Sequence, residues 1–151
     1  MSVQSGGMEV ASRGMSEVQG LLVAHGGVAA ALVDAVERIS GVRGGLVPIS
    51  NVDCSPQTLR DRIRGARTPG PTVVFVDMAS GSCTFASLSL ARESRDVAVV
   101  TGVNLPMLLD FLFHRDMELS ALAQRLVEKG RSSTSAHVPT AVSHADRPVQ
   151  D

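Results

Sequence analysis

Hydrophobic positions follow two different patterns along this chain. Short continuous apolar runs alternate with longer stretches in which apolar residues recur every three or four positions. The continuous runs are typical of strands covered on both faces, and the longer stretches are typical of helices with one buried side. The predicted strands are Gly20 to Ala24, Leu46 to Ile49, Val73 to Val76 and Val97 to Val100.

The predicted helices have recognisable beginnings and ends. Gly41 stops the first helix, Ser55 and Pro56 form the N-cap and first turn of the second, and Pro106 opens a helix that runs from Met107 to His114. A last helix, Ser120 to Lys129, is predicted to stop at Gly130. The residues predicted to form the apolar faces are Val28, Leu32, Val36 and Ile39, then Leu59 and Ile63, then Phe85, Leu88 and Ala91, and finally Leu122, Leu126 and Val127.

This alternation of strands and helices predicts an α/β fold. We expect a doubly wound, mostly parallel sheet with helices on both faces, strand order 2-1-3-4, and room for an antiparallel strand at one edge. The predicted domain spans residues 20–130. Residues 1–19 and 131–151 show neither period and are rich in small and polar residues, so both are predicted to be disordered.

Two reactive side chains follow neighbouring strands of this sheet. His25 ends the first apolar run and Asp77 ends the third, so the expected strand order places both at one crevice. A histidine can attack a phosphoryl group only through an unprotonated nitrogen, and a carboxylate can hold the proton on the other nitrogen. Gly26 and the segment Ser80-Gly81-Ser82 would supply hydrogen bonds to phosphoryl oxygens. The alternative is a loop histidine and a strand-end or N-cap aspartate.

Composition narrows the classes of partner. The chain has 14 Lys and Arg against 15 Asp and Glu, and it has no Trp or Tyr, so we expect neither nucleic-acid binding nor an aromatic stacking surface. No signal peptide or membrane span is apparent. With only two cysteines, we expect a soluble, cytoplasmic protein with reduced thiols.

The two cysteines raise the question of a metal site. Cys54 follows the second predicted strand and Cys83 follows the third, so both can approach His25 and Asp77, and these are zinc-ligand types. Close paired spacings such as Cys-x-x-Cys are absent. We therefore predict no metal and no cofactor, and we interpret both cysteines as small, partly buried side chains.

Three segments together resemble a known family. They are His25 with its preceding strand, the Val-Asp-Met-Ala-Ser-Gly-Ser run from Val76 to Ser82, and above all Thr101 to Leu108, which reads Thr-Gly-Val-Asn-Leu-Pro-Met-Leu. The chain resembles the enzyme IIA domain of mannose-type sugar phosphotransferase systems over about residues 20–130. The segment from Gly102 to Leu108 is the most specific part of the match.

The resemblance implies a function and a set of partners. It implies a homodimeric phosphotransferase that takes a phosphoryl group from a histidine-containing phosphocarrier protein onto His25 and passes it to a IIB component in sugar uptake. Asp77 would be the carboxylate bonded to that histidine, and Ser82 a phosphoryl contact. Contact with the membrane would be indirect, through separate transporter components.

Two departures from the family pattern leave a second interpretation open. After the aspartate the family has Leu, Phe or Trp, Gly, Gly, Ser and Pro, whereas Asp77 here is followed by Met, Ala, Ser, Gly, Ser and Cys. Residues 131–137 also lack the apolar character of the family's C-terminal strand, which can be exchanged between subunits. The alternative function is a regulatory phosphoacceptor or binding module of the same fold that does not serve transport.

Overall fold

Strands and helices alternate along the part of the chain that the computed structural model describes, residues 16–141. The strands are β1 (Gln19–Ala24), β2 (Leu46–Ser50), β3 (Thr72–Val76) and β4 (Val97–Thr101). The helices are α1 (Val28–Ser40), α2 (Pro56–Ala66), α3 (Ser82–Glu93), α4 (Leu105–Leu112) and α5 (Leu119–Ser132). None of these helices has the length and apolar content needed to cross a bilayer.

The strands form one sheet in the order β2-β1-β3-β4, and every neighbouring pair is parallel. The predicted fold class and strand order are therefore confirmed. Residues 16–141 contain no antiparallel edge strand. Pro48 lies in β2, where an edge strand can tolerate the missing N–H donor.

Both faces of the sheet are covered, as continuous apolar strands require. On one face, Leu22 and Phe75 pack with residues of α1, α4 and α5, and the ring of Phe111 meets that of Phe75 edge to face at 5.1 Å. On the other face, Leu21 and Val74 pack with residues of α2 and α3. Each such fully buried aliphatic side chain contributes about 1.5–3 kcal/mol of transfer free energy.

Helix α1 buries only part of the predicted face. Val36 is buried and Leu32 packs partly buried against the core, as predicted, whereas Val28 is exposed and Ile39 is 62% exposed. Ala29 and Val33, which were not predicted, are buried beside them. The packed structure uses the stripe that starts with alanine, which lets the first turn lie against the core.

The predicted apolar face of α3 was also wrong. Phe85 is 75% exposed and Leu88 is exposed, while Cys83, Ala86 and Leu90 are buried together with Thr84 and Ser87. The two hydroxyl groups can be buried because each donates a 2.7 Å hydrogen bond, from Thr84 to the carbonyl of Met78 and from Ser87 to the carbonyl of Cys83.

The ordered fold begins before the predicted boundary at residue 20. Val18 is buried, and its N–H donates to the carbonyl of Arg115 at 2.8 Å while Arg115 Nε donates back to the Val18 carbonyl at 2.9 Å. Gln19 is the first residue of β1 and donates through its side chain to the carbonyl of Ala66. The rest of the predicted N-terminal disorder falls mainly on residues 1–15, outside the described residues.

Helix α5 does not end at Gly130 as predicted but continues to Ser132. Gly130 is instead a point of close contact, because a Cβ there would lie 2.6 Å from Cε of Met107. Its carbonyl also accepts a 3.0 Å hydrogen bond from Nδ2 of Asn104. Residues 134–141 are exposed and form neither helix nor strand, and residues 142–151 of the predicted tail lie outside the described residues.

Candidate functional site

His25 and Asp77 meet at the carboxyl ends of the two central strands. In the parallel register of β1 and β3, Val23 is opposite Val76, so the residues after the two strand ends come together. Nδ1 of His25 lies 2.9 Å from Oδ2 of Asp77, and the backbone N–H of His25 donates to the same oxygen at 3.0 Å. The structure thus brings together the pair that the sequence analysis selected.

The two side chains differ in their access to solvent. The His25 side chain is 40% exposed and that of Asp77 is 14% exposed. With Nδ1 against the carboxylate, Nε2 is the free ring nitrogen, and it has no hydrogen-bond partner among residues 16–141. A reactant from solvent would therefore meet Nε2.

Asp77 is held in its ionised form. Burial by itself raises the pKa of this carboxyl, but the backbone and ring hydrogen bonds from His25 and the charge of the ring outweigh burial, so the pKa is lowered. An ionised Asp77 favours the tautomer with the proton on Nδ1, which leaves a lone pair on Nε2. Oδ1 of Asp77 is buried and has no hydrogen-bond partner within the described part of the chain.

The loop after His25 is fixed by β2. Gly26 adopts a positive φ of 56°, its N–H donates to Oδ1 of Asn51 at 3.1 Å, and its carbonyl accepts from Oγ of Ser50 at 2.7 Å. The N–H of Gly26 is therefore already bonded, which differs from the phosphoryl contact predicted for it. Asn51 was not selected from the sequence, although its position directly after a strand that neighbours β1 was the available signal.

The loop after Asp77 brings the N-terminus of α3 to the outer side of the His25 ring. Gly81 has a φ of 106°, and a Cβ at this position would lie 3.9 Å from both Cε1 and Nε2 of His25. The first intrahelical hydrogen bond runs from the N–H of Phe85 to the carbonyl of Gly81, so the preceding N–H groups have no partner within the helix. Ser82 begins α3, and Ser80 is an exposed residue of the same loop.

Only one of the two cysteines is at this site. Cys83 is buried with its Sγ 3.9 Å from Nδ1 of His25, and the ligand atoms of His25, Asp77 and Cys83 all lie within 4.8 Å of one another. Burial and then the charge of Asp77 raise the pKa of the Cys83 thiol, which keeps it protonated. Cys54 is instead directed to the carbonyl of Ser50.

An apolar groove lies beside the site. Its volume is about 540 Å³, and it is lined by Pro56, Arg60, Gly81, Ser82, Phe85 and Ala86. Met78, in the loop after β3, is also exposed. Exposed large apolar side chains near His25 are typical of a surface that binds another protein.

The segment from Thr101 to Leu108 packs beside the end of β3 that carries Asp77. The N–H of Val103 donates to the carbonyl of Val76, the residue before Asp77, at 3.2 Å. Asn104 caps α4 by accepting from the N–H of Met107 at 3.1 Å, and through Nδ2 it also binds α5. The most specific sequence motif thus has a structural role in this chain.

The fold and the site define a class: an open parallel α/β domain with a histidine and carboxylate at its topological switch point. A family model described as EIIA-man, PTS system fructose IIA component, matches residues 20–128. The chain belongs to this family of phosphotransferase-system IIA components, which confirms the resemblance recognised in the sequence.

Individual relatives agree with this assignment. The chain is 36% identical over 124 residues to the PTS system sorbose-specific EIIA component of Lacticaseibacillus casei, covering 76% of this chain and 88% of that protein. An EIIA structure from Streptococcus agalactiae has a TM-score of 0.74 at 22% identity, covering 79% of this chain and 96% of its own. A mannose/sorbose-specific IIA subunit from Enterococcus faecalis also has a TM-score of 0.74, at 17% identity, covering 84% and 99%. The two structures share the fold.

Proposed function

We propose that this protein is a IIA phosphocarrier that accepts a phosphoryl group on Nε2 of His25 from a histidine-containing phosphocarrier protein and passes it to a IIB component in sugar uptake. The observation that carries the proposal is the single oxygen of Asp77 that accepts both the backbone and the ring N–H of His25. That arrangement leaves Nε2 as the nucleophile. The protein would act in the cytoplasm and reach the membrane only through transporter components.

The chemistry follows from the tautomer. The Nε2 lone pair attacks the phosphorus of the donor, a P–N bond forms at His25, and the P–N bond to the donor ring breaks. His25 gains positive charge in this step, and the ionised carboxylate of Asp77 stabilises it through the Nδ1 proton. The reverse sequence of bond changes delivers the group to the IIB component. One P–N bond replaces another, so the first transfer balances without a nucleotide or an oxidant.

The phosphoryl oxygens would be received by the N-terminus of α3. A Cβ at Gly81 would lie 3.9 Å from Nε2, and the N–H groups of the first turn, which have no partner within the helix, follow Gly81 directly. Helix N-termini favour anions through these donors and through the helix dipole, typically by about 0.3–1 kcal/mol at an exposed site. Ser80 and the hydroxyl of Ser82 complete the proposed phosphoryl contacts, while Gly26 contributes the turn that positions the ring.

Two surfaces suit the proposed protein partners. The groove beside Phe85, with Arg60 at its side, would receive the phosphocarrier and then the IIB component. The second surface is the open edge at β4, where Val99, Ala123 and Val127 line a shallow depression. We assign this edge to the contact between subunits of a homodimer, because a parallel sheet edge presents unpaired backbone groups that a second chain can cover.

A regulatory phosphoacceptor is the second candidate function. The observation that favours it is the loop Met78 to Ser82, which lacks the aromatic residue that the family pattern has two positions after the aspartate. Such a protein would share the first step with the transport component and differ only in the second. Phosphoryl acceptance and onward transfer must therefore be measured separately.

The test is phosphorylation with purified components. The protein is incubated with phosphoenolpyruvate, enzyme I and the histidine phosphocarrier, and its intact mass and the acid lability of any added phosphate are measured. We expect one acid-labile phosphate that is absent in His25→Ala and retained in His137→Ala, a control at an exposed histidine. No phosphate with active carriers would contradict the proposal. Addition of the IIB component then distinguishes transfer from retention.

A further inference from the structure

Cys83 has no part in the proposed transfer, yet its thiol lies directly against the reacting pair. Sγ is 3.9 Å from Nδ1 of His25, and Nδ1 is 2.9 Å from Oδ2 of Asp77. One ligand atom from each of the three residues lies within 4.8 Å of the other two. The group combines one nitrogen, one oxygen and one sulfur atom. This is the donor set that zinc and other borderline-soft divalent cations prefer.

We propose that His25, Asp77 and Cys83 bind a zinc-class divalent cation and that this binding switches off phosphoryl acceptance. The consequence for phosphoryl acceptance rests on the proposed function, whereas the metal binding does not. The ligand atoms would be Nδ1 of His25, Oδ2 of Asp77 and Sγ of Cys83. Solvent or a small anion would occupy the fourth position on the exposed side of the ring.

The distances fit this coordination. Zinc bonds of about 2.0–2.3 Å to nitrogen, oxygen and sulfur in a tetrahedron place the ligand atoms about 3.3–3.6 Å apart. The Nδ1 to Oδ2 distance of 2.9 Å and the Nδ1 to Sγ distance of 3.9 Å lie on either side of that range. Side-chain rotations, without a change in the strands, would bring the three atoms to the required spacing.

The charges also fit. A carboxylate and a thiolate together carry the two negative charges that neutralise a divalent cation, and a neutral histidine adds none. Cys83 is buried and Asp77 is largely buried, so an uncompensated charge at this site would carry a large desolvation free energy. Oδ1 of Asp77 is buried and has no partner within residues 16–141, so no hydrogen bond to this oxygen competes with a cation for the charge of the carboxylate.

Metal binding and phosphoryl acceptance exclude each other through the tautomer of His25. When the cation binds Nδ1, the proton of Nδ1 is lost and Nε2 takes up a proton to keep the ring neutral. The proton of the Cys83 thiol is released to solvent, so binding releases one proton in total. Nε2 then has an N–H in place of a lone pair and cannot attack phosphorus.

The second cysteine provides a matched control. Cys54 lies outside the cluster, with its thiol directed to the carbonyl of Ser50. Because the chain has two cysteines, Cys54→Ala leaves Cys83 as the sole thiol. Any thiolate-to-metal signal in that variant must therefore come from Cys83, whether or not a variant at position 83 folds.

The metal site is tested with cobalt(II) as a spectroscopic substitute for zinc. We expect the near-ultraviolet thiolate-to-cobalt band at one equivalent in the unmodified chain and in Cys54→Ala, its loss in Cys83→Ala, and its displacement by zinc. Circular dichroism establishes that the variants are folded. Absence of the band in Cys54→Ala, or its persistence in a folded Cys83→Ala, would overturn the site.

The inhibitory role is tested by phosphorylation at increasing zinc, with the upstream carriers held in excess and shown to be unaffected. Cys83→Ala should need at least about tenfold more zinc for half-inhibition than Cys54→Ala, since it lacks one ligand. Equal sensitivity of the two variants would overturn the inhibition. If no phosphorylation occurs even with a chelator present, the proposed function fails, while the cobalt band still reports on the site.

Discussion

One carboxylate oxygen of Asp77 accepts two N–H groups of His25, one from the backbone and one from the ring. The backbone bond fixes where His25 leaves β1, and the ring bond fixes how its imidazole is turned. Both bonds favour an ionised Asp77, whose pKa is lowered despite the opposing effect of burial. The pair is thus arranged without any partner bound, as the proposed phosphoryl transfer would require.

The first prediction concerns Asp77→Asn. The amide can place only one of its two polar atoms where Oδ2 lies. Its oxygen would accept both N–H groups of His25 but without the negative charge, and its nitrogen would donate to Nδ1 and favour the tautomer with the proton on Nε2. Phosphorylation of His25 should slow about 10²-fold or more while the fold is retained. The rate of intact-mass increase is the measurement, and Asp96→Asn, at an exposed aspartate, is the control. Unchanged kinetics would refute the orienting role of Asp77.

The second prediction concerns the groove. Phe85 is 75% exposed at the start of α3, so Phe85→Ala should leave the free energy of unfolding nearly unchanged. The phosphocarrier concentration for half-maximal phosphorylation should rise about fivefold or more, as expected for an aromatic contact residue. Phe113→Ala removes another exposed aromatic side chain, 62% exposed just beyond α4, and should have no such effect. Equal effects of the two variants would contradict docking at the groove.

The third prediction concerns Gly130. Because a Cβ there would lie 2.6 Å from Cε of Met107, Gly130→Ala should destabilise the protein by about 1–3 kcal/mol, even though alanine favours helices. Gly65→Ala, in α2 where a Cβ meets open space, should instead stabilise it by about 0.4–1 kcal/mol. Urea unfolding of both variants measures the difference. A stabilised Gly130→Ala would show that Met107 simply moves aside.

The fourth prediction concerns acid stability. The pKa of the Asp110 carboxyl lies below its ordinary value of 3.8. The main cause is Arg125, which donates hydrogen bonds to both carboxylate oxygens at 2.7 and 3.0 Å; burial of the carboxyl acts in the opposite direction but is outweighed. Since the folded pKa is lower than the unfolded one, this group stabilises the fold above the unfolded pKa. That stability is lost as pH falls through the folded pKa.

Asp110→Asn tests this linkage. It should lower stability by about 1 kcal/mol at neutral pH, a figure reduced for the partial exposure of Arg125, and the deficit should shrink at acid pH. Urea midpoints between neutral pH and about pH 3 measure it. Asp34→Asn breaks a solvent-exposed pair with Arg38 and should change little at any pH. A deficit for Asp110→Asn that stays constant with pH would contradict the linkage.

Much of the fold could be predicted because the strands are continuous apolar runs and the turns contain glycine and proline. The pairing of His25 with Asp77 could also be predicted, since the carboxyl ends of neighbouring parallel strands meet at one edge. The buried face of α3 and the contribution of Ala29 and Val33 to that of α1 could not be predicted. Each helix has two overlapping apolar stripes, and only packing against the sheet decides between them.

Other features depend on contacts between residues distant in sequence. From the sequence alone, Gly130 is interpreted as the end of a helix. The structure shows instead that a glycine is needed there because Met107 packs against it. The role of Asn51 depends on how the loop after β2 meets Gly26. The sequence placed both cysteines near His25, but only the packed structure shows that Cys83 reaches the ring and that Cys54 does not.

Helix α3 carries both the receiving end of the proposed phosphoryl site and the exposed ring of Phe85. The two are separated by about one helical turn, a rise of roughly 5–6 Å. A partner that bound Phe85 would therefore be held at a set distance from the Nε2 atom of His25. In the proposed transfer, α3 would thus fix the position of the donated phosphorus atom through the contact that recognises the partner, because the helix between the two points is rigid.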